Sequence, residues 1–167
     1  CMRPWRDSRG DMVVVMGQVP KDASLRGLPD YRQWLRSSLA RLSDLSHRPV
    51  VFRPHPKSQT DVVSFAAMQH GSLQETLDSA HVVVTYNSNS GVDAILDGVP
   101  VIAIDLGSMA WSVASHEFTT ESVEHPWRPS QEERLQWAYD LAYTQWSEGE
   151  IAHGHAWDHL RNRFEEI

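Results

Sequence analysis

Three features of this 167-residue sequence predict an α/β fold in which a parallel sheet is flanked by helices. Short apolar runs recur at Met12–Met16, Val50–Phe52, Val82–Thr85 and Val101–Ile104, the lengths of buried strands rather than helices. Helical spacing or helix caps fill the intervals between them. Strands alternating with helices in this way form βαβ units, and those build a parallel sheet.

Met12–Met16 is closed by Gly17, and Gln18 to Pro29 is a loop, with two Pro, one Gly, Asp22 and Ser24. From Asp30, the apolar positions Tyr31, Trp34, Leu35, Leu39, Leu42 and Leu45 follow helical spacing. Val50–Phe52 runs into Arg53-Pro54-His55-Pro56, which cannot continue as helix or central strand. Residues 57–71 read as loop with a short helix or strand around Val62–Ala67. Ser72 and Glu75 form a capping box that opens a helix to Ala80. After Val82–Thr85 come a polar loop, Tyr86–Ser90, and a helix, Gly91–Leu96, stopped by Gly98. Val101–Ile104 is the fourth strand, and Leu106 to Pro129 reads as irregular. Capping boxes at Ser130/Glu133 and Ser147/Glu150 start two closing helices.

The bulk numbers set limits. A chain of this length makes one domain, or one Rossmann-like half of a two-domain enzyme. A net charge of −7 argues against holding nucleic acid by bulk charge, which needs clustered Lys and Arg. The single cysteine, Cys1, cannot form an internal disulfide, and a cytoplasmic location fits. No apolar run approaches the roughly 20 residues that span a bilayer. The opening Cys1-Met-Arg-Pro-Trp-Arg-Asp lacks the apolar core of a signal peptide and reads as the interior of a longer chain.

Ligands of parallel sheets sit at the carboxyl ends of the strands. That rule selects four loops: Gly17–Ser24, Arg53–Lys57, Tyr86–Ser90 and Asp105–Trp111. In the third, Asn87, Ser88, Asn89 and Ser90 supply hydrogen-bond donors beside the first turn of a helix, and Gly91 lets a ligand approach the backbone, so an anion site is expected. One capping residue would account for one of these side chains, not for four in succession. In the second loop, two prolines fix His55 beside Arg53, a pair suited to a phosphate or to a leaving group that gains charge. In the first, Asp22 is a candidate nucleophile or base, with Gln18 a hydrogen-bonding partner. Asp22 and Ser24 are equally the residue types of an Asx-type turn.

Other features read as structural. His155 and His159 share a helix face, but nothing completes a metal-ligand set, so no metal site is expected. Trp137, Leu141, Trp146 and Trp157 read as a core stripe. Neither GxGxxG nor a P-loop is present, which leaves dinucleotide binding and P-loop ATPase activity without support.

Taken together, Gln18-x-x-x-Asp22-x-Ser24, Arg53-Pro-His55-Pro56 and Tyr86-Asn-Ser-Asn-Ser90-Gly-Val-Asp93-Ala-Ile-Leu-Asp-Gly-Val-Pro100 resemble the nucleotide-binding half of GT-B glycosyltransferases. The capsule-polysaccharide type, including β-Kdo transferases and polysialyltransferases, is the most similar. Small phage-encoded glycosyltransferase-like proteins carry a tail similar to Asp140-Leu-Ala-Tyr-Thr-Gln-Trp146. The resemblance implies a single GT-B-type half over residues 1–167, with an α/β core at 12–129 and C-terminal helices at 130–165. It implies a nucleotide-sugar donor, CMP-linked before UDP-linked, with no metal or other cofactor. His55 would contact the donor phosphate, Ser88 and Ser90 would hold the nucleotide phosphate, and Asp22 would act at the anomeric carbon. Gln18, Ser24, Arg53, Asn87, Asn89 and Gly91 complete the expected donor site. The acceptor would be a glycan or another hydroxyl compound, with a modified DNA base ranked lower because of the −7 charge. A GT-B enzyme needs a second domain, supplied upstream, by a partner or in an oligomer. The rival readings are a non-catalytic nucleotide or sugar-phosphate binding module and an epimerase on the same fold.

Overall fold

The structure, a computed structural model, describes residues 2–6, 10–58 and 67–164. Among the described residues, five parallel strands form one sheet: β1 (Met12–Met16), β2 (Val50–Arg53), β3 (Ala67–Met68), β4 (Ala80–Thr85) and β5 (Val101–Ala103). Their order is β3-β2-β1-β4-β5, all pairs parallel, with Val14 opposite Val51 on one side and Val83 on the other. The helices are α1 (Tyr31–Leu45), α2 (Leu73–Ser79), α3 (Ser90–Leu96), α4 (Thr120–Glu124), α5 (Gln131–Tyr143), α6 (Glu148–Ala152) and α7 (His155–Phe164). The predicted α/β, Rossmann-like sheet with C-terminal helices is the observed fold. The chain winds outward from β1 to β3, then returns to the other side of β1. The topological switch point therefore lies between β1 and β4.

The alternation of side chains along each strand divides the core in two. Val14, Met16 and Val83 face α2, α3 and α5 with Leu77, Ile95 and Trp137. Val13, Val15, Val82 and Val84 face α1 and α4 with Leu35, Leu39, Leu42 and Val123. Val13, Val14 and Val15 have no exposed surface, which is why the central strand reads as an unbroken apolar run rather than an alternating one.

Several expected boundaries move. The strand expected from Val82 begins at Ala80, because α2 ends at Ser79 and His81 is buried in the sheet. The segment 106–129 is not irregular throughout. A 3-10 turn covers Trp111–Val113, Ser115 bridges to Ile102, and α4 is opened by the Thr119/Ser122 pair. A second 3-10 turn, Ala23–Leu25, stands inside the loop after β1. The last helix is two, split at Gly154 with φ +82°. Trp157 is 66% exposed and leaves the expected core stripe, whereas Trp137 is buried and Leu141 packs against the core. Most of the element expected around Val62–Ala67 lies outside the described residues; Ala67 itself opens β3.

Candidate functional site

Among the loops that leave the carboxyl edge of the sheet are those after β1, β2, β4 and β5, which the sequence marked. Gly17 lets the first two depart side by side. Its amide donates to the Arg53 carbonyl at 2.7 Å, and a Cβ there would lie 3.0 Å from the Arg53 oxygen, the His55 nitrogen and the Phe52 ring. Only glycine fits that approach without displacement.

At the switch point, two buried amides join the loops. Gln18 Nε2 donates to Asn87 Oδ1 at 2.7 Å, and the Asn87 backbone N–H donates to Gln18 Oε1 at 3.2 Å. Asn87 Nδ2 donates to the Ser24 carbonyl and to Asp105 Oδ2, both at 2.8 Å. The Gln18 backbone N–H donates to the Tyr31 hydroxyl of α1 at 2.8 Å. Gln18 and Asn87 are 7% and 8% exposed, so their polar groups face one another and not solvent. Both were expected to bind ligand; in the structure their amides hold one another and the neighbouring loops. A buried amide left unsatisfied would cost about 1–3 kcal/mol, which keeps such a junction in one arrangement.

Asp22 stands at the exposed rim. Its Oδ1 accepts from the Ser24 N–H at 2.9 Å and from the Ser24 hydroxyl at 2.8 Å, capping the 3-10 turn. These hydrogen bonds, aided by the charge field of His55, hold its carboxyl below the usual range. The Asx-type turn and the presented carboxylate are thus the same structure. His55 is half-buried, and its Nδ1 accepts from the Lys57 N–H at 3.1 Å, which fixes the ring and turns Nε2 to the other side. Arg53 takes another direction. As a residue of β2 it projects toward α2, where Nε donates to Thr76 Oγ1 at 3.0 Å and Nη2 to the Gly71 carbonyl at 3.4 Å.

In the loop after β4, Ser88 and Ser90 meet hydroxyl to hydroxyl at 2.7 Å. The Ser88 N–H donates to Thr85 Oγ1, itself fully buried, at 2.8 Å, and Ser90 N donates to Ser88 Oγ at 3.3 Å. Two hydroxyls that share one hydrogen bond leave one O–H free to donate elsewhere. Asn89 is exposed and makes no capping bond. Gly91 is buried, and a Cβ there would press on Thr85, Ala110 and Val101 at 3.3–3.6 Å, so its role is packing of α3 against the sheet.

Asp22, Ser24, His55, Ser88 and Ser90 therefore line one edge, with Gln18 and Asn87 beneath them. Sequence reasoning marked the loop at Asp105 but not the residue, which receives Asn87 Nδ2 and the Gly107 N–H at 3.2 Å. Tyr31 and Thr85 were also missed. Each is an ordinary core position whose single hydroxyl serves the site. Tyr86 lies edge-on to Trp34 at 5.3 Å; burial, and then the nearby Asp105 carboxylate, push its phenol up. Among the described residues, no cluster of three or more His, Cys, Asp or Glu could hold a metal ion. No described helix is long and apolar enough to cross a membrane.

No family model matches the sequence, and no curated protein matches it. Among solved structures, the fold is similar to KpsC of Thermosulfurimonas dismutans, a beta Kdo 2,7 transferase, with a TM-score of 0.53 and 21% identity. The similarity covers 81% of this chain and 47% of that one, so the chain spans about half the length of the structure it matches.

Proposed function

We propose that this chain is the donor-binding part of a glycosyltransferase, which moves a sugar from a nucleotide-sugar to a hydroxyl acceptor without a metal ion. The observation that carries the reading is the gathering of an ionised carboxylate, a fixed imidazole and a free serine hydroxyl on one sheet edge, in a fold that a Kdo transferase shares. The Ser88–Ser90 pair and His55 Nε2 donate to the phosphate oxygens as negative charge grows on the leaving nucleotide. Arg53, engaged with α2, contributes at most its long-range charge.

Asp22 is the nucleophile in this reading. A general base works best with a pKa near the working pH, and the Ser24 hydrogen bonds move Asp22 the other way. Both of those bonds fall on Oδ1, which leaves Oδ2 for the anomeric carbon. Attack by Oδ2 breaks the anomeric C–O bond and releases the nucleotide with the bonding electron pair. The acceptor hydroxyl then displaces Asp22, losing its proton to solvent or a base, so a covalent glycosyl-enzyme lies between the two steps. The donor of first choice is CMP-Kdo, then UDP-sugars. The acceptor would be a glycan, presented by a second domain or partner.

The test is release of CMP from CMP-Kdo, with and without a glycan acceptor, by the chain and by Asp22→Ala. Asp22→Ala is expected to lower turnover about 1,000-fold or more while CMP affinity stays within about threefold. Turnover intact with CMP binding lost would refute the role of Asp22. CMP binding with no turnover by the unmodified chain would favour a non-catalytic binding module.

A further inference from the structure

We infer that Asn87 is the positioning residue of this site: its carboxamide ties the Asp22–Ser24 turn to Asp105 and so holds the Asp22 carboxylate in register with the Ser88–Ser90 hydroxyls. The inference rests on the glycosyl-transfer reading and names the group that aligns its parts.

A side-chain amide offers two N–H donors and one carbonyl acceptor. Asn87 has committed all of them. Oδ1 accepts from Gln18 of the loop after β1, and the two Nδ2 hydrogens go to the Ser24 carbonyl and to Asp105 of the loop after β5. Both N–H donors are spent and the residue is 8% exposed, so Asn87 acts through its neighbours. The neighbour that matters is Ser24. Its carbonyl is held by Asn87, while its own N–H and hydroxyl hold Asp22 Oδ1. A continuous line of hydrogen bonds therefore runs from Asp105 through Asn87 and Ser24 to Asp22, across the crevice between β1 and β4. Asn87 is also the residue immediately before Ser88, so the same group sets where the loop hydroxyls begin. An aspartate at this position could not replace it. A carboxylate only accepts, and it would face both the Ser24 carbonyl and the Asp105 carboxylate.

The experiment is a carbon-detected NMR titration of the Asp22 carboxyl in the full chain, in the unmodified protein, in Asn87→Ala and in the pair Asn87→Asp/Asp105→Asn. The pair restores a donor–acceptor contact between positions 87 and 105 but supplies no N–H to the Ser24 carbonyl. It thus keeps a folded comparison if the alanine variant is unstable. In both variants, Asp22 is expected to titrate higher, toward the ordinary value of about 3.9. With CMP-Kdo as donor, kcat is expected to fall roughly tenfold or more while KM moves by less than about threefold, as for a misplaced reacting group. An Asp22 titration unmoved in either folded variant overturns the positioning role. A raised KM with kcat preserved also overturns it, because that marks a ligand contact. The NMR titration needs no substrate, so absence of turnover in the unmodified chain counts against the transfer reading alone.

Discussion

The two edges of the sheet are held by different chemistry. At the carboxyl edge, neutral amides do the joining: Gln18 and Asn87 satisfy each other, the Ser24 carbonyl and the Asp105 carboxylate, and Asp22 stays at the rim. At the amino edge, the joining is ionic. Arg6 pairs with Asp97 and, at 2.8 Å, with Asp78, while Arg3 reaches Asp97 at 2.8 Å. Beneath them Arg134, with no exposed surface, donates to the Ile95 and Leu96 carbonyls and lies 4.2 Å from the Trp5 ring centroid. Burial pushes its guanidinium down to about 10, so it keeps its charge at neutral pH. Charges that neutralise one another fasten a chain segment but have little left for a ligand. Neutral amides fix loop positions and leave nearby charges available. The contrast separates the edge built for stability from the edge proposed for chemistry.

The largest effect should come from the ionic edge. Arg134→Ala removes two carbonyl contacts, the Trp5 contact and a fully buried volume, and should cost about 3 kcal/mol in urea unfolding. Arg134→Met fills the space without burying a charge and should cost about 1 kcal/mol. Equal losses would show that charge, not volume, sets the cost there. Gly98→Ala should follow, at about 2 kcal/mol. Gly98 has φ +83°, and a Cβ there would overlap the Pro4 carbonyl oxygen. At the neutral edge, Gln18→Leu strands Asn87 Oδ1 and its backbone N–H, so a loss of about 1–2 kcal/mol is expected together with weaker nucleotide binding. Weaker binding from Gly98→Ala instead would dissolve the distinction between the edges.

The smallest effect is a pH dependence. His81 of β4 is buried against Glu124, with Arg48 and Arg128 facing it; burial first, and then the Arg48 charge, push its imidazole down. The unfolded chain therefore binds a proton first. As pH falls from the ordinary histidine value of about 6.5 toward the lower folded value, stability should decline, and above that window His81 contributes no slope. Urea midpoints between about pH 7 and pH 5 should show this decline, and His81→Leu should reduce it.

Much of this was legible because local signals agreed with the global fold. The apolar runs located four strands, and the capping boxes at Ser72, Ser130 and Ser147 placed three helix starts. Legibility failed where a residue's role depends on its neighbours in space. His81 falls between the expected helix end at Ala80 and the expected strand start at Val82, and its place in β4 shows only in its burial. The Thr119 box was hidden because its third position is Ser122 rather than Glu or Gln. Arg53 is two residues from His55 in sequence, but its place in β2 sends it to α2. Gln18 and Asn87 were recognised as hydrogen-bonding residues at the correct loops. An amide that builds a site and one that touches a ligand have the same sequence signature, and only burial and partners tell them apart.

The most direct test of the carboxyl edge as the nucleotide site is calorimetric titration of CMP and UDP into the full chain, into Ser88→Ala/Ser90→Ala and into Arg6→Ala. Loss of the free hydroxyl should weaken nucleotide binding about tenfold or more, the scale of a charge-assisted hydrogen bond, and Arg6→Ala should leave it unchanged. Nucleotide affinity that survives the serine double variant, or that falls only in Arg6→Ala, would contradict the assignment.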